Sequence, residues 1–81
     1  MSEEYNYTVD IVSLKKIMVE YGLDKISELA KATGISRNTL GKVIKGKALP
    51  SIKVMFALSD ALHLTPSKAG NIFFHTNLRN T

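Results

Sequence analysis

The stretch ISELAKATGISRNTLGKVIK, residues 26–45, constrains this chain more than any other. Two apolar runs at helical spacing flank Gly34: Ile26, Leu29, Ala30 and Thr33 before it, Leu40, Val43 and Ile44 after it. Two helices so close in sequence cross through a turn of about three or four residues. The crossing needs a small side chain on the first helix, and Ala30 supplies it. The turn needs a residue that tolerates positive φ, which is Gly34, and an apolar plug, which is Ile35. The second helix, anchored inward by Leu40 and Val43, then projects from the surface.

Its outward side holds Arg37, Asn38 and Lys42, with Gly41 in the middle of the helix. Residues 34–47 contain four bases, Arg37, Lys42, Lys45 and Lys47, and no acid. The asymmetry extends further. Residues 29–59 hold six bases and no acid, whereas residues 1–24 hold five acids against Lys15 and Lys16, within a net charge of +4. Segregation of this kind implies a positive face suited to a polyanion, and an ordinary solvated lysine surface is the bland alternative.

The flanking sequence supplies three more helices. Ile11, Leu14, Ile17, Met18 and Tyr21 form an amphipathic stripe that Gly22 stops. Asp24 is a candidate cap for the second helix and Ser36 for the third, which Gly46 closes. KALPS reads as a loop, because Leu49 before Pro50 is disfavoured in the helical region. Ser51 caps a fourth helix whose Ile52, Met55, Phe56, Leu58 and Leu62 are available for the core. Thr65 and Pro66 start a fifth helix, predicted to run to Phe74 or His75. Residues 1–10 lack a clear apolar period and are expected to form a flexible or loosely docked arm, and no strand pattern or repeat is visible.

Eighty-one residues make one small domain of modest core. The absence of cysteine excludes disulfides and thiolate chemistry. No apolar run approaches the roughly 18 residues of a membrane span, and MSEEYNYTVD is no signal peptide, so a soluble cytoplasmic protein without a membrane partner is expected.

On ISELAKATGISRNTLGKVIKGKALPS followed by ALSDALHLT, residues 11–64 resemble the Cro/CI-type, or XRE-family, helix-turn-helix domain. The resemblance implies an all-α, five-helix, lambda-repressor-like DNA-binding fold with the helix-turn-helix at helices 2 and 3. It divides the chain into an arm at 1–10, the domain at 11–64, and a C-terminal helix and tail at 65–81. It places helix 3 in the major groove, first turn nearest the bases. Arg37, Asn38 and Lys42 are then the expected base contacts. Arginine can donate two bonds to guanine, and asparagine pairs with adenine. Lys25, Ser36, Thr39, Lys45 and Lys47 are the expected phosphate contacts.

Two departures from the family pattern stand out. Many members pair a glutamate near the end of helix 3 with an arginine on helix 1. Here Ile44 and Met18 occupy those positions, which reads as a compensated apolar swap. One extra residue between Leu23 and Leu29 leaves open which of Asp24, Lys25 or Ser27 meets phosphate.

Catalysis is not expected. His63 and His75 lie on different predicted elements without a carboxylate cluster, Ser36 and Ser51 read as caps, and no phosphate loop or metal-ligand spacing occurs. No cofactor and no small-molecule substrate are expected. The expected partner is a double-stranded DNA operator, bound by a homodimer. The tail AGNIFFHTNL sets three large apolar groups in a row, Ile72 to Phe74, more than a small core can bury. Phe74 and Leu78 are therefore the expected dimer or partner contact. The alternative role is a protein-binding antirepressor, modulator or antitoxin, with a repressor protein as a possible partner.

Overall fold

The structure is a computed structural model that describes residues 7–76. Five helices follow one another: α1 (Ile11–Glu20), α2 (Ile26–Thr33), α3 (Arg37–Ile44), α4 (Ile52–Ala61) and α5 (Pro66–Phe73). Two short strands, β1 (Tyr7–Thr8) and β2 (His75–Thr76), bracket them.

Four of these helices begin on a side-chain cap. Asp10, Ser36, Ser51 and Thr65 each accept a hydrogen bond from the N–H three residues on, at Ser13, Thr39, Val54 and Lys68. The Asp10 carboxylate also accepts the Ser13 hydroxyl at 2.8 Å. The Ser13 hydroxyl and then its N–H hold the Asp10 carboxyl below the usual carboxylate range. The exception is α2. Asp24 does not cap it: the N-cap position falls one residue later, at Lys25, which makes no side-chain cap bond.

The apolar stripes converge on one core. Leu14 and Met18 of α1, Leu29 of α2, Leu40, Val43 and Ile44 of α3, Val54 and Leu58 of α4, and Ile72 and Phe73 of α5 are all buried in it. Ile35 and Leu62 fill it from the connections. Around this core α2 packs against α3 and α4, and α5 packs against α1 and α4. Met18 and Ile44, 3 % and 9 % exposed, both belong to it.

Several expectations need correction. The predicted arm does not extend to residue 10. Thr8 and Tyr7 pair antiparallel with His75 and Thr76, Val9 is buried, and the Asp10 N–H donates to the Ile72 carbonyl at 2.7 Å. Two-residue strands carry no readable period, and their pairing partner lies at the other end of the sequence, so no local signal announces them. A two-stranded ribbon is thus added to the five helices. For the same reason α5 stops at Phe73: Phe74, at φ −122° and ψ 45°, turns the chain out towards β2.

Ile52 and Phe56 do not enter the core but stand 61 % and 72 % exposed. Val54 and Leu58 define the inner side of α4, and at about 100° per residue Phe56 falls some 200° from either. Tyr21 is likewise exposed, lying beside the His63 ring at 5.2 Å between centroids.

Candidate nucleic-acid interface

The turn between α2 and α3 is built from backbone outward. Gly34 adopts φ +75°, and its N–H donates to the Ala30 carbonyl at 2.8 Å, ending α2 in a left-handed cap. The Thr33 hydroxyl donates to the Leu29 carbonyl at 2.8 Å and accepts the Ile35 N–H at 3.1 Å. That pair of bonds fixes Ile35, whose side chain is buried beneath the turn. Thr33 therefore acts through its hydroxyl as much as through its methyl group.

Ser36 opens α3. Its hydroxyl accepts the Thr39 N–H at 3.2 Å and donates to the Thr39 hydroxyl at 3.0 Å. The Ser36 proton is thereby engaged within the turn, which leaves the Thr39 hydroxyl as the outward donor of the two. Leu40, Val43 and Ile44 bury one side of α3. Arg37, Asn38 and Lys42 consequently point to solvent and are exposed.

The end of α3 brings the last cations to the same place. The Gly46 N–H donates to the Val43 carbonyl at 3.0 Å, and the Lys47 N–H to the Lys42 carbonyl at 2.8 Å. This double return bends the chain back over the helix end. Arg37, Asn38, Gly41, Lys42, Lys45 and Lys47 line a single open depression of about 300 Å³ that has no acidic residue among them. Five of the eight expected contact residues thus share one surface: Arg37, Asn38, Lys42, Lys45 and Lys47. Ser36 and Thr39 are exposed at its helix-start end, while Lys25 is exposed at the start of α2 and is not part of the depression.

Gly41 sits in the wall of this depression, and a Cβ built there meets nothing within 4 Å. No internal packing demands glycine at that position. Among the described residues no group of three metal-ligating side chains occurs, and no helix is long and apolar enough to cross a membrane.

A second surface was foreseen from sequence only at Phe74, not at Ile52 and Phe56. Between α4 and α5 runs an apolar cleft of about 230 Å³, lined by Ile52, Met55, Phe56, Phe73 and Phe74 among others. Phe74, 47 % exposed, is flanked on one side by Tyr7, ring centroids 5.4 Å apart. Leu78, the other residue expected there, lies outside the described residues. The spacing of Ile52 and Phe56, four apart and distinct from the Val54–Leu58 pair, was the available signal for this face.

A family model described as helix-turn-helix matches residues 14–68, from within α1 to the start of α5. Match and geometry together define a DNA-binding domain of the transcription-regulator type. The chain belongs to the helix-turn-helix family, in its Cro/CI-type or XRE group. No curated protein and no solved structure matches it.

Proposed function

We propose that this chain is a sequence-specific, double-stranded-DNA-binding regulator of the repressor type, of bacterial or phage origin, that acts as a homodimer. The observation that carries the reading is the outer side and end of α3, where four cations, an asparagine and a bare glycine share one depression free of acids. The capped first turn of α3 would present Arg37 and Asn38 to base edges, with Lys42 one turn on. Thr39, Lys45 and Lys47 would meet phosphate, with Ser36 setting the cap and Lys25 reaching backbone from the start of α2. Lysines of this kind position a protein on the duplex, while base-edge contacts select the sequence. The exposed Phe74 supports a dimer contact beside β2, and a twofold operator matches a twofold protein.

Selection from a pool of random duplexes tests this reading. The expected result is an enriched site of two half-sites, bound with a steep dependence on salt. Failure to enrich any sequence would overturn sequence-specific binding.

A second reading, a protein-binding antirepressor or antitoxin, is favoured by one observation: Ile52, Phe56 and Phe74 leave a large apolar area in solvent. Capture of a repressor protein by a chain without affinity for duplex DNA at modest salt would favour it.

A further inference from the structure

We propose that the hollow where α4 ends and α5 begins is a binding site for an organic cation, a guanidinium group carried on an apolar stem. The site lies apart from the basic depression and stands whether or not the chain binds DNA.

The backbone marks the place. Among the described residues, three of the positions at positive φ are glycines that follow α1, α2 and α3: Gly22, Gly34 and Gly46. The fourth, after α4, is His63 at φ +53°. A side chain in that region carries a cost that glycine avoids. The His63 imidazole lies against the Tyr21 ring, centroids 5.2 Å apart, and both residues are exposed. Two rings left in solvent bury little against each other, and strain of this kind gathers where a side chain serves a ligand.

The hollow beside His63 measures about 580 Å³, within the range of small-molecule sites. One carboxylate, Asp60, lines it together with the aromatic groups of Phe56 and His63, and Leu64, Pro66 and Ala69 add apolar wall. No lysine or arginine lines it, in a chain of net charge +4, and Lys68 of α5 lines the groove against α1 instead. Asp60 follows Phe56 by one helical turn, about 6 Å of rise, and precedes His63 by three residues. A cation paired with the Asp60 carboxylate therefore comes between two aromatic groups, at about the 6 Å within which a ring face attracts a cation. Phe56 stands 72 % exposed, and an apolar stem would cover it. A guanidinium fits this set better than an ammonium does. Its planar fork donates two parallel bonds to one carboxylate, and its faces stack on aromatic rings. An anion would meet Asp60 with the wrong sign.

Nuclear magnetic resonance of the isotope-labelled full chain tests the proposal, at about pH 8, above the ordinary imidazole range. Butylguanidinium should shift the amides of Asp60, His63 and Leu64 and saturate with a Kd of about 1–10 mM. Butylurea, with the same stem and no charge, should bind about tenfold more weakly. Asp60→Asn and Phe56→Ser should each weaken butylguanidinium about three- to tenfold, with helical content unchanged by circular dichroism. His63→Gly should melt no lower than wild type and yet bind about threefold more weakly. A short peptide with one arginine among alanines tells the sources of the cation apart. Tighter binding of the peptide at the same amides assigns the site to an arginine of a protein partner, and binding of butylguanidinium alone assigns it to a free small molecule. No saturable shift at these amides up to about 50 mM of either probe overturns the proposal. Butylurea that binds as well as butylguanidinium overturns it too, as does an Asp60→Asn chain that binds like wild type. A His63→Gly chain that melts lower and binds fully would give His63 a structural role alone, and the site as assigned would fall.

Discussion

The outer side of α3 and the outer side of α4 are both helix surface that the core leaves uncovered, and they differ in what water does to them. Arg37, Asn38 and Lys42 keep their hydration when exposed, so that face costs nothing to display and can wait for a polyanion. Ile52 and Phe56 gain no such hydration, so their exposure beside the α4–α5 cleft leaves an apolar face in water. The same five-helix core supports both. The difference teaches that function on a small scaffold is found by asking which exposures are chemically comfortable and which are not.

The sharpest way to break that comparison is to carry charge to the inner side of α3. Ile44→Glu buries a carboxylate without a partner and should destabilise the fold by roughly 3–5 kcal/mol in thermal or urea melts. Adding Met18→Arg should return part of the loss. Strictly additive losses would mean that the two side chains act independently within the core.

A smaller effect is expected on the outer side. Arg37→Ala should cost about 1–3 kcal/mol in operator affinity and relax preference at one or two base pairs, with the melting temperature nearly unchanged. Lys45→Ala should weaken all duplexes alike and reduce the salt slope by about one. An Arg37→Ala protein with intact preference would remove α3 from the reading role.

Asp10→Ala tests the far edge of the molecule, where the ribbon meets α1, and should cost about 1 kcal/mol through the lost cap. The effect depends on pH. The folded-state carboxyl titrates below its ordinary value, so its stabilisation is present above the unfolded-state value and disappears as pH falls through the folded one. Wild type should therefore lose stability below about pH 4 relative to Asp10→Asn, which keeps the cap without the charge. Parallel acid titration profiles would contradict the assigned hydrogen bonds.

The smallest effect has the opposite sign. Gly41→Ala adds a methyl group where nothing lies within 4 Å and should raise stability by about 0.5–1 kcal/mol. Calorimetry checks this, and a loss of stability would show that α3 needs glycine for its own packing.

Much of the basic face was legible because its signals are local. Gly34, Ile35, Ser36 and the Leu40–Val43–Ile44 stripe lie within eleven residues, and each has a single physical role there. The α4 face was misread because Ile52, Met55, Phe56, Leu58 and Leu62 exceed what one side of a helix can bury. Composition names the candidates, and only the angle at which α4 docks separates Val54 and Leu58 from Ile52 and Phe56. The ribbon was missed for another reason. Tyr7 and Thr8 acquire their conformation from residues near the opposite end of the chain.

That ribbon bears on the order of events in folding. The crossing of α2 and α3 closes a short loop, whereas the pairing of Tyr7 with Thr76 closes nearly the whole described chain. Loop closure grows dearer by about 0.6 kcal/mol for each doubling of length, so the ribbon should form after the helix-turn-helix and open before it. In hydrogen exchange the Asp10 amide, bonded to Ile72 across that seam, should lose protection while the Leu40 amide inside α3 still holds its own. The seam then acts as a latch: when it opens, Phe74 loses its Tyr7 neighbour and α5 is freed at one end, while the reading helix stays folded.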